Sequence, residues 1–123
     1  MKPQIIAKEW LGTPFIEGAA IKNVGCDCAG LLEGVFQTLG EVTPARDGQN
    51  LEQALANANY LFEAQTPTAG DILLFRANDN FHVGILSANN TIIHAHWTRG
   101  VIENRFGSWF ICRLVKIYRY LEN

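Results

Sequence analysis

The chain has 123 residues, 48% of them hydrophobic and 18% charged, which suits a single domain over residues 1–123 with its own core and excludes a disordered chain. Ten Lys and Arg against 12 Asp and Glu give a net charge of −2, and the signs are scattered, so there is no basic footprint for nucleic acid. Three cysteines cannot all pair, and reduced thiols are the default.

At the N-terminus, Lys8 and Glu9 stand where a signal peptide needs an unbroken apolar stretch, and no segment approaches transmembrane length. The expectation is a chain made in the cytoplasm without a signal peptide and without membrane insertion, any later export using another route. Ile5, Ile6, Trp10 and Leu11 form the buried stripe of a short helix ending near Gly12-Thr13-Pro14, because proline biases its predecessor away from helix. A loop through Gly18 and Gly25 follows. From Cys28 to Leu39, the residues Leu31, Leu32, Val35, Phe36 and Leu39 fall at helical spacing, with Asp27 as N-cap and Gly40 as the stop. Gly30 and Gly34 inside this helix each cost roughly 1 kcal/mol relative to Ala, which points to a close approach there. An Asp47-Gly48 turn leads to a third helix over about 51–58.

Beyond Pro67 the pattern changes to short β-prone runs at 71–76, 81–87, 91–96, 101–105 and 110–120. Asn78-Asp79-Asn80 and Ala88-Asn89-Asn90 supply turn residues that tolerate positive φ, which gives a mostly antiparallel meander of about five strands. Helices first and strands after is the order of an α+β domain, with the helices packed on one face of one sheet. The apolar last run fits either a central strand or an edge.

Cys28 falls in the first turn of the second helix, where unpaired N–H groups and the positive dipole end stabilise a thiolate. An isolated cysteine more often only packs, so its partners decide. The three histidines, His82, His94 and His96, all lie on two adjacent strands. With a three-residue turn at 87–89, His94 stands opposite His82; with the turn at 88–90, His96 is opposite and His94 diagonal. Either register puts all three on one face, whereas a two-residue turn separates His82. A thiol and an imidazole, with a second polar group orienting the ring, make the arrangement of thiol hydrolases: His82 takes the thiol proton and later gives it to the leaving amine, a second histidine fixes its tautomer, and the Cys28 N–H helps bind the oxyanion. Zinc bound by Cys26, Cys28, His94 and His96 is the competing reading, weakened because zinc sites space paired cysteines by two to four residues.

Five stretches resemble, in order, the successive motifs of NlpC/P60 cysteine peptidases: Trp10-Leu11-Gly12-Thr13-Pro14-Phe15, Gly25-Cys26-Asp27-Cys28-Ala29-Gly30-Leu31, Ala69-Gly70-Asp71-Ile72-Leu73-Leu74-Phe75, His82-Val83-Gly84-Ile85-Leu86 and Ile93-His94-Ala95. The Gly-Cys-Asp-Cys form and the short, leaderless length are most similar to the phage and gene-transfer-agent branch, whose members accompany tail proteins. The resemblance implies a circularly permuted papain-like α+β fold, hydrolysis of amide bonds in peptidoglycan stem peptides, often next to D-Glu, and no cofactor or metal. Carried over by position, Cys28 is the nucleophile, His82 the base and His94 the orienting residue; Cys26 packs, and Asp71 is a structural polar group at a strand start. A phage-like tail protein is then the expected partner, with action at the cell wall.

Two positions depart from the commoner pattern. Phe15 stands where many members have a tyrosine approaching the nucleophile, and Ala29 where a serine usually follows the cysteine and, with the aspartate at position 27, holds the free amine of the stem. Asp27, Phe15 and Trp97, which follows the histidine pair and would wall the cleft, are the candidate substrate contacts. The departures favour an alternative in which the fold serves as a tail-assembly or peptidoglycan-binding module of low turnover; acyl transfer through the same thiol is the other alternative. Trp10 and Trp109 read as core or rim aromatics, and Arg99 and Glu103 as solvated strand residues.

Overall fold

The computed structural model describes residues 2–43 and 50–121, so the expected Asp47-Gly48 turn lies outside the described residues. The chain runs α1 (Pro3–Lys8), β1 (Ala20–Ile21), β2 (Gly25–Cys26), α2 (Cys28–Thr38), α3 (Leu51–Asn57), β3 (Leu61–Ala64), β4 (Ile72–Ala77), β5 (Asn80–Ser87), β6 (Thr91–His96), β7 (Gly100–Arg105), α4 (Ser108–Ile111) and β8 (Leu114–Tyr120). Among the described residues no helix is long and apolar enough to cross a membrane.

The second helix forms for reasons visible at both ends. Asp27 is extended and its Oδ1 accepts the Gly30 N–H at 2.7 Å, capping the first turn. At the other end Gly40 takes φ +91°; its N–H donates to Gln37 O, and the Glu41 N–H donates to Phe36 O, which closes a Schellman motif. Both inner glycines meet the close approach they imply. A Cβ at Gly30 would lie 1.9 Å from the Ala19 carbonyl oxygen, and one at Gly34 would lie 2.0 Å from the Trp10 ring. In α3 the Asn50 side chain accepts the Gln53 N–H while the Gln53 side chain accepts the Asn50 N–H, a reciprocal capping box.

Six strands form one antiparallel sheet in the order β3-β8-β4-β5-β6-β7, and β1 and β2 make a separate hairpin. The meander from β4 to β7 is the one the sequence implies. Several expectations change or are settled. The strand β3 was not anticipated, because Leu-Phe-Glu-Ala is short and its burial does not alternate. The run at 110–120 splits: Ser108–Ile111 is one helical turn that buries only Phe110, leaving Trp109 and Ile111 about half exposed, and the strand starts at Leu114. The strand β8 lies between β3 and β4, so it is central, not an edge.

The helices are also not confined to one face. Alternation along β4 sends Ile72 and Leu74 into the core under α1 and α2, and Leu73 and Phe75 into a second cluster with Phe106, Phe110 and Ile117. All four β4 residues are fully buried, which explains their unbroken apolar run. At the N-terminus, α1 is only six residues long and buries Ile6, Ala7 and, just beyond its end, Trp10; Ile5 (54%) and Leu11 (39%) are exposed instead of joining the stripe. At the start of β4 the buried Asp71 carboxylate accepts the Thr68 N–H and two Arg119 N–H groups, the structural role expected of it.

Replacing Gly34 with Ala tests the helix packing. In an exposed helix this change gains roughly 1 kcal/mol, but a methyl driven into the buried Trp10 ring costs about 1–3 kcal/mol, so the expected net effect is destabilising. A lower urea midpoint with an unchanged slope is the expected reading; a higher midpoint would show that the Trp10 ring yields freely.

Candidate active site

The segment before Cys28 is held from both sides. Cys26 pairs with Ala20 in the β1–β2 hairpin; its N–H donates to Pro14 O, and its carbonyl accepts the Ile16 N–H. Phe15, bridged to Cys26 and half-buried against the core, therefore lies alongside this segment. The Asp27 carboxylate is used twice over, accepting the Gly30 N–H through Oδ1 and the Gly18 N–H through Oδ2 at 2.8 Å. Cys28 is thereby fixed as the first residue of α2, at the positive end of the helix dipole. Two residues earlier, Cys26 is fully buried, and burial, then the charges of Asp27 and Cys28, push its thiol up to about 11. It is a packing residue, as expected.

The histidines come from the meander. Residues 88–90 make a 3-10 turn in which Asn89 and Asn90 both adopt positive φ, and the ladder runs Gly84↔His94 to Ser87↔Thr91. This is the second of the two anticipated registers, with His94 diagonal to His82. His82 Nε2 lies 2.9 Å from His94 Nδ1, and the rings meet edge-on at 5.0 Å. His96 is not part of the pair: its Nδ1 accepts the N–H groups of Thr98 and Arg99, both at 3.2 Å, and caps the turn at 97–99. Arg99 is thus a turn residue instead of a strand residue, while Glu103 is exposed on β7.

Sequence reasoning missed Asn104. Its Oδ1 lies 2.6 Å from His94 Nε2, so His82, His94 and Asn104 form a continuous chain across β5, β6 and β7. The signal was present: the three-residue turn at 97–99 pairs His94 with Ile102 and Ile92 with Asn104, which puts Asn104 diagonal to His94 on the same face. Phe75 and Phe110 close around the imidazoles, with ring centres 6.5 Å from His82 and 5.3 Å from His94. Burial, then the charges of His94 and His96, push His82 down to about 4; burial and His96 also lower His94, against the bond to Asn104. Both rings are neutral at pH 7.

A largely apolar cleft of about 460 Å³ opens between α2, α3 and the start of β5, and Cys28, Ala29, Leu32, Phe36 and Phe81 are among the residues lining it. It brings the first turn of α2 to the start of β5, where His82 follows Phe81. Trp97 is 75% exposed in the 97–99 turn, and no part of it lines that cleft. Trp109 is a rim aromatic, stacked under the Arg113 guanidinium at 4.3 Å. Cys26, Cys28, His94 and His96 are not gathered as zinc ligands, and among the described residues no three His, Cys, Asp or Glu side chains converge on a point.

The depressed His82 has a consequence for stability. Between pH 6.5 and about 4 the unfolded chain takes up a proton there that the folded chain refuses, so stability is complete above pH 6.5 and falls as pH drops toward 4. One group with this difference contributes about 3 kcal/mol at most. Urea unfolding at a series of pH values is expected to show the fall, and His82→Gln to flatten it; a wild-type profile that is level from pH 6.5 to 4.5 would show that the ring titrates normally.

The NlpC/P60 family model matches residues 12–118. Over 98 residues the chain is 31% identical to the murein DD-endopeptidase MepS/murein LD-carboxypeptidase of Escherichia coli K12, a match covering 76% of this chain and 48% of that protein. The chain thus spans about half the length of that curated relative. Among solved structures, NlpC2 from Trichomonas vaginalis superposes with a TM-score of 0.79 at 19% identity, over 96% of this chain and 45% of that one. The NlpC/p60 domain of the peptidoglycan hydrolase SagA superposes at 0.67 with 24% identity, over 94% of each chain. The fold is the papain-like α+β fold of these domains, and the chain belongs to the NlpC/P60 family.

Proposed function

We propose that the chain is a cysteine peptidase that hydrolyses amide bonds in peptidoglycan stem peptides, with Cys28 as nucleophile, His82 as base and His94 as orienting residue. The observation that carries this reading is the His82–His94 pair, with His94 buried and His82 half-buried, at the start of the strand that shares a cleft with Cys28. The family and the murein endopeptidase named among its relatives support the substrate class.

His82 Nε2 is engaged by His94, so Nδ1 is the nitrogen left to take the thiol proton. The thiolate attacks the amide carbonyl carbon, and the negative charge that develops on oxygen is met by the Cys28 N–H at the helix start. The C–N bond then breaks as the His82 imidazolium gives its proton to the leaving amine, and a thioester remains on Cys28. Water, deprotonated by the same Nδ1, hydrolyses the thioester and restores the thiol.

Phe15 and Asp27 are the proposed substrate contacts. The Asp27 carboxylate is already tied to Gly30 and Gly18, so it would meet a stem amine from a fixed position. We also propose association with a phage-like tail acting at the cell wall, supported by the Gly25-Cys26-Asp27-Cys28 form. A second reading, acyl transfer through the same thiol, is favoured by the apolar walls of the cleft beside Cys28. A non-hydrolytic binding module is favoured by Phe15 and Ala29.

Digestion of muropeptides followed by mass spectrometry separates these readings. The wild type is expected to split a stem amide with uptake of water, Cys28→Ala to lose at least about 10⁴-fold in kcat, and His94→Ala about 10²-fold. Products carrying the acyl group on an added amine or alcohol would indicate transfer. No cleavage by folded wild type, together with slow alkylation of Cys28 at neutral pH, would indicate the binding module.

A further inference from the structure

We infer that Asn104 is a positioning residue that fixes which nitrogen of His82 is free to take a proton. The catalytic meaning rests on the proposed role of His82, but the geometry does not.

The chain of bonds has one polarity when followed from its acceptor end. The Asn104 Oδ1 is a carbonyl oxygen and only accepts, so the hydrogen between it and His94 sits on His94 Nε2. A neutral imidazole has one N–H, and His94 Nδ1 is therefore bare. A bare Nδ1 accepts, so the hydrogen between the two rings sits on His82 Nε2, 2.9 Å away. His82, neutral in turn, is left with its lone pair on Nδ1. Without an acceptor at Nε2, His94 has no fixed tautomer; its other form would put an N–H toward His82 Nε2 and move the His82 proton to Nδ1, which abolishes the base.

Among the described residues, the side chains that bear most on His82 and His94 are each other, His96 and Asn104, none of them a carboxylate. His82 faces His94 from β5, His96 stands 6.4 Å from it on β6, and α4 contributes the uncharged Phe110. On β7 the alternation turns Glu103 and Arg105 to the opposite face from Asn104, and Glu103 is engaged by Thr91. The backbone also gives Asn104 its place, since the register of β7 on β6 is closed by the turn that His96 caps. Acting through His94 on His82, Asn104 supplies direction without supplying a charge.

The chain has three histidines, so long-range ¹H–¹⁵N NMR resolves each tautomer directly. In the wild type, His82 and His94 are both expected to carry the proton on Nε2 with a bare Nδ1, and His96, whose Nδ1 is an acceptor, serves as the internal reference. Asn104→Leu removes the acceptor at similar size; it is expected to mix the tautomers of His94 and His82 and to lower kcat about tenfold or more with KM unchanged, given the about 10²–10⁴-fold a general base supplies. Asn104→Asp keeps an acceptor and is expected to restore both the tautomers and kcat at high pH. Its carboxylate favours doubly protonated His94, whose Nδ1–H would point the wrong way, so the acid limb of its pH–rate profile moves up by about one pH unit or more. A wild-type Nδ1–H on His82, or tautomers unchanged in Asn104→Leu, would overturn the inference. If the leucine variant does not fold, the wild-type and aspartate spectra decide it. The expected tautomers in a wild type that cleaves no muropeptide would support Asn104 and overturn the peptidase reading instead.

Discussion

The site depends on the register of β5 against β6, and a turn of three residues sets that register. Asn89 and Asn90 accept positive φ, at 63° and 59°, where most side chains would be strained. Because a strand presents alternate residues to opposite faces, one residue fewer in this turn would carry His94 into the apolar layer beneath α2 and bring Ile93 and Ala95, both buried there, to the other face. The histidine pair and the core are therefore specified together: the arrangement that buries Ile85 and Ile93 is the one that sets His94 diagonal to His82. The same logic repeats one strand later. By capping the turn at 97–99, His96 fixes β7 on β6 and so delivers Asn104 to His94. The third histidine takes no part in the pair and yet helps to build it.

On the other side of the cleft, rigidity comes from close backbone approach. Gly30 lets the Ala19 carbonyl against α2, and the two oxygens of Asp27 join the helix start to the Gly18 loop. The cost in helix propensity is offset by a first turn that cannot wander relative to the sheet. The two cysteines of the Cys-x-Cys sequence are separated in character by the same geometry. Cys26 lies on a short strand directed into the core, where desolvation keeps its thiol protonated, while Cys28 begins the helix at the lip of the cleft.

Much of this was legible in the sequence, and the misses share a cause. The helix from Cys28 was readable because its cap, its periodicity and its glycine stop all agree, and the four meander strands because turn residues punctuate them at short intervals. What failed were segments too short to show a period. The stretch 108–111 is one turn of helix, Leu61–Ala64 is four residues with no alternation, and α1 buries one face of a six-residue helix, so two aliphatic residues assigned inward point out. Asn104 was missed for a different reason. Its place depends on a second turn: the register that sets His94 diagonal to His82 extends through residues 97–99 and sets Asn104 diagonal to His94.

In the proposed mechanism, a neutral histidine suits the orienting position for an electrostatic reason. A carboxylate there would stabilise the His82 imidazolium at rest and make it reluctant to give up its proton. His94 offers only a lone pair, and it is itself kept uncharged by burial, so imidazolium on His82 stays unfavourable, in keeping with a ring pushed down to about 4. A base that weak takes a proton from a thiol only where the resulting thiolate remains beside it to offset the new charge, at a helix start that favours the anion. Its conjugate acid is correspondingly strong and gives the proton readily to a departing amine. In the proposed mechanism, the desolvation that makes His82 a poor base in isolation would make it an effective proton donor in the step that breaks the C–N bond, provided that its lone pair points toward the thiol and its N–H toward His94.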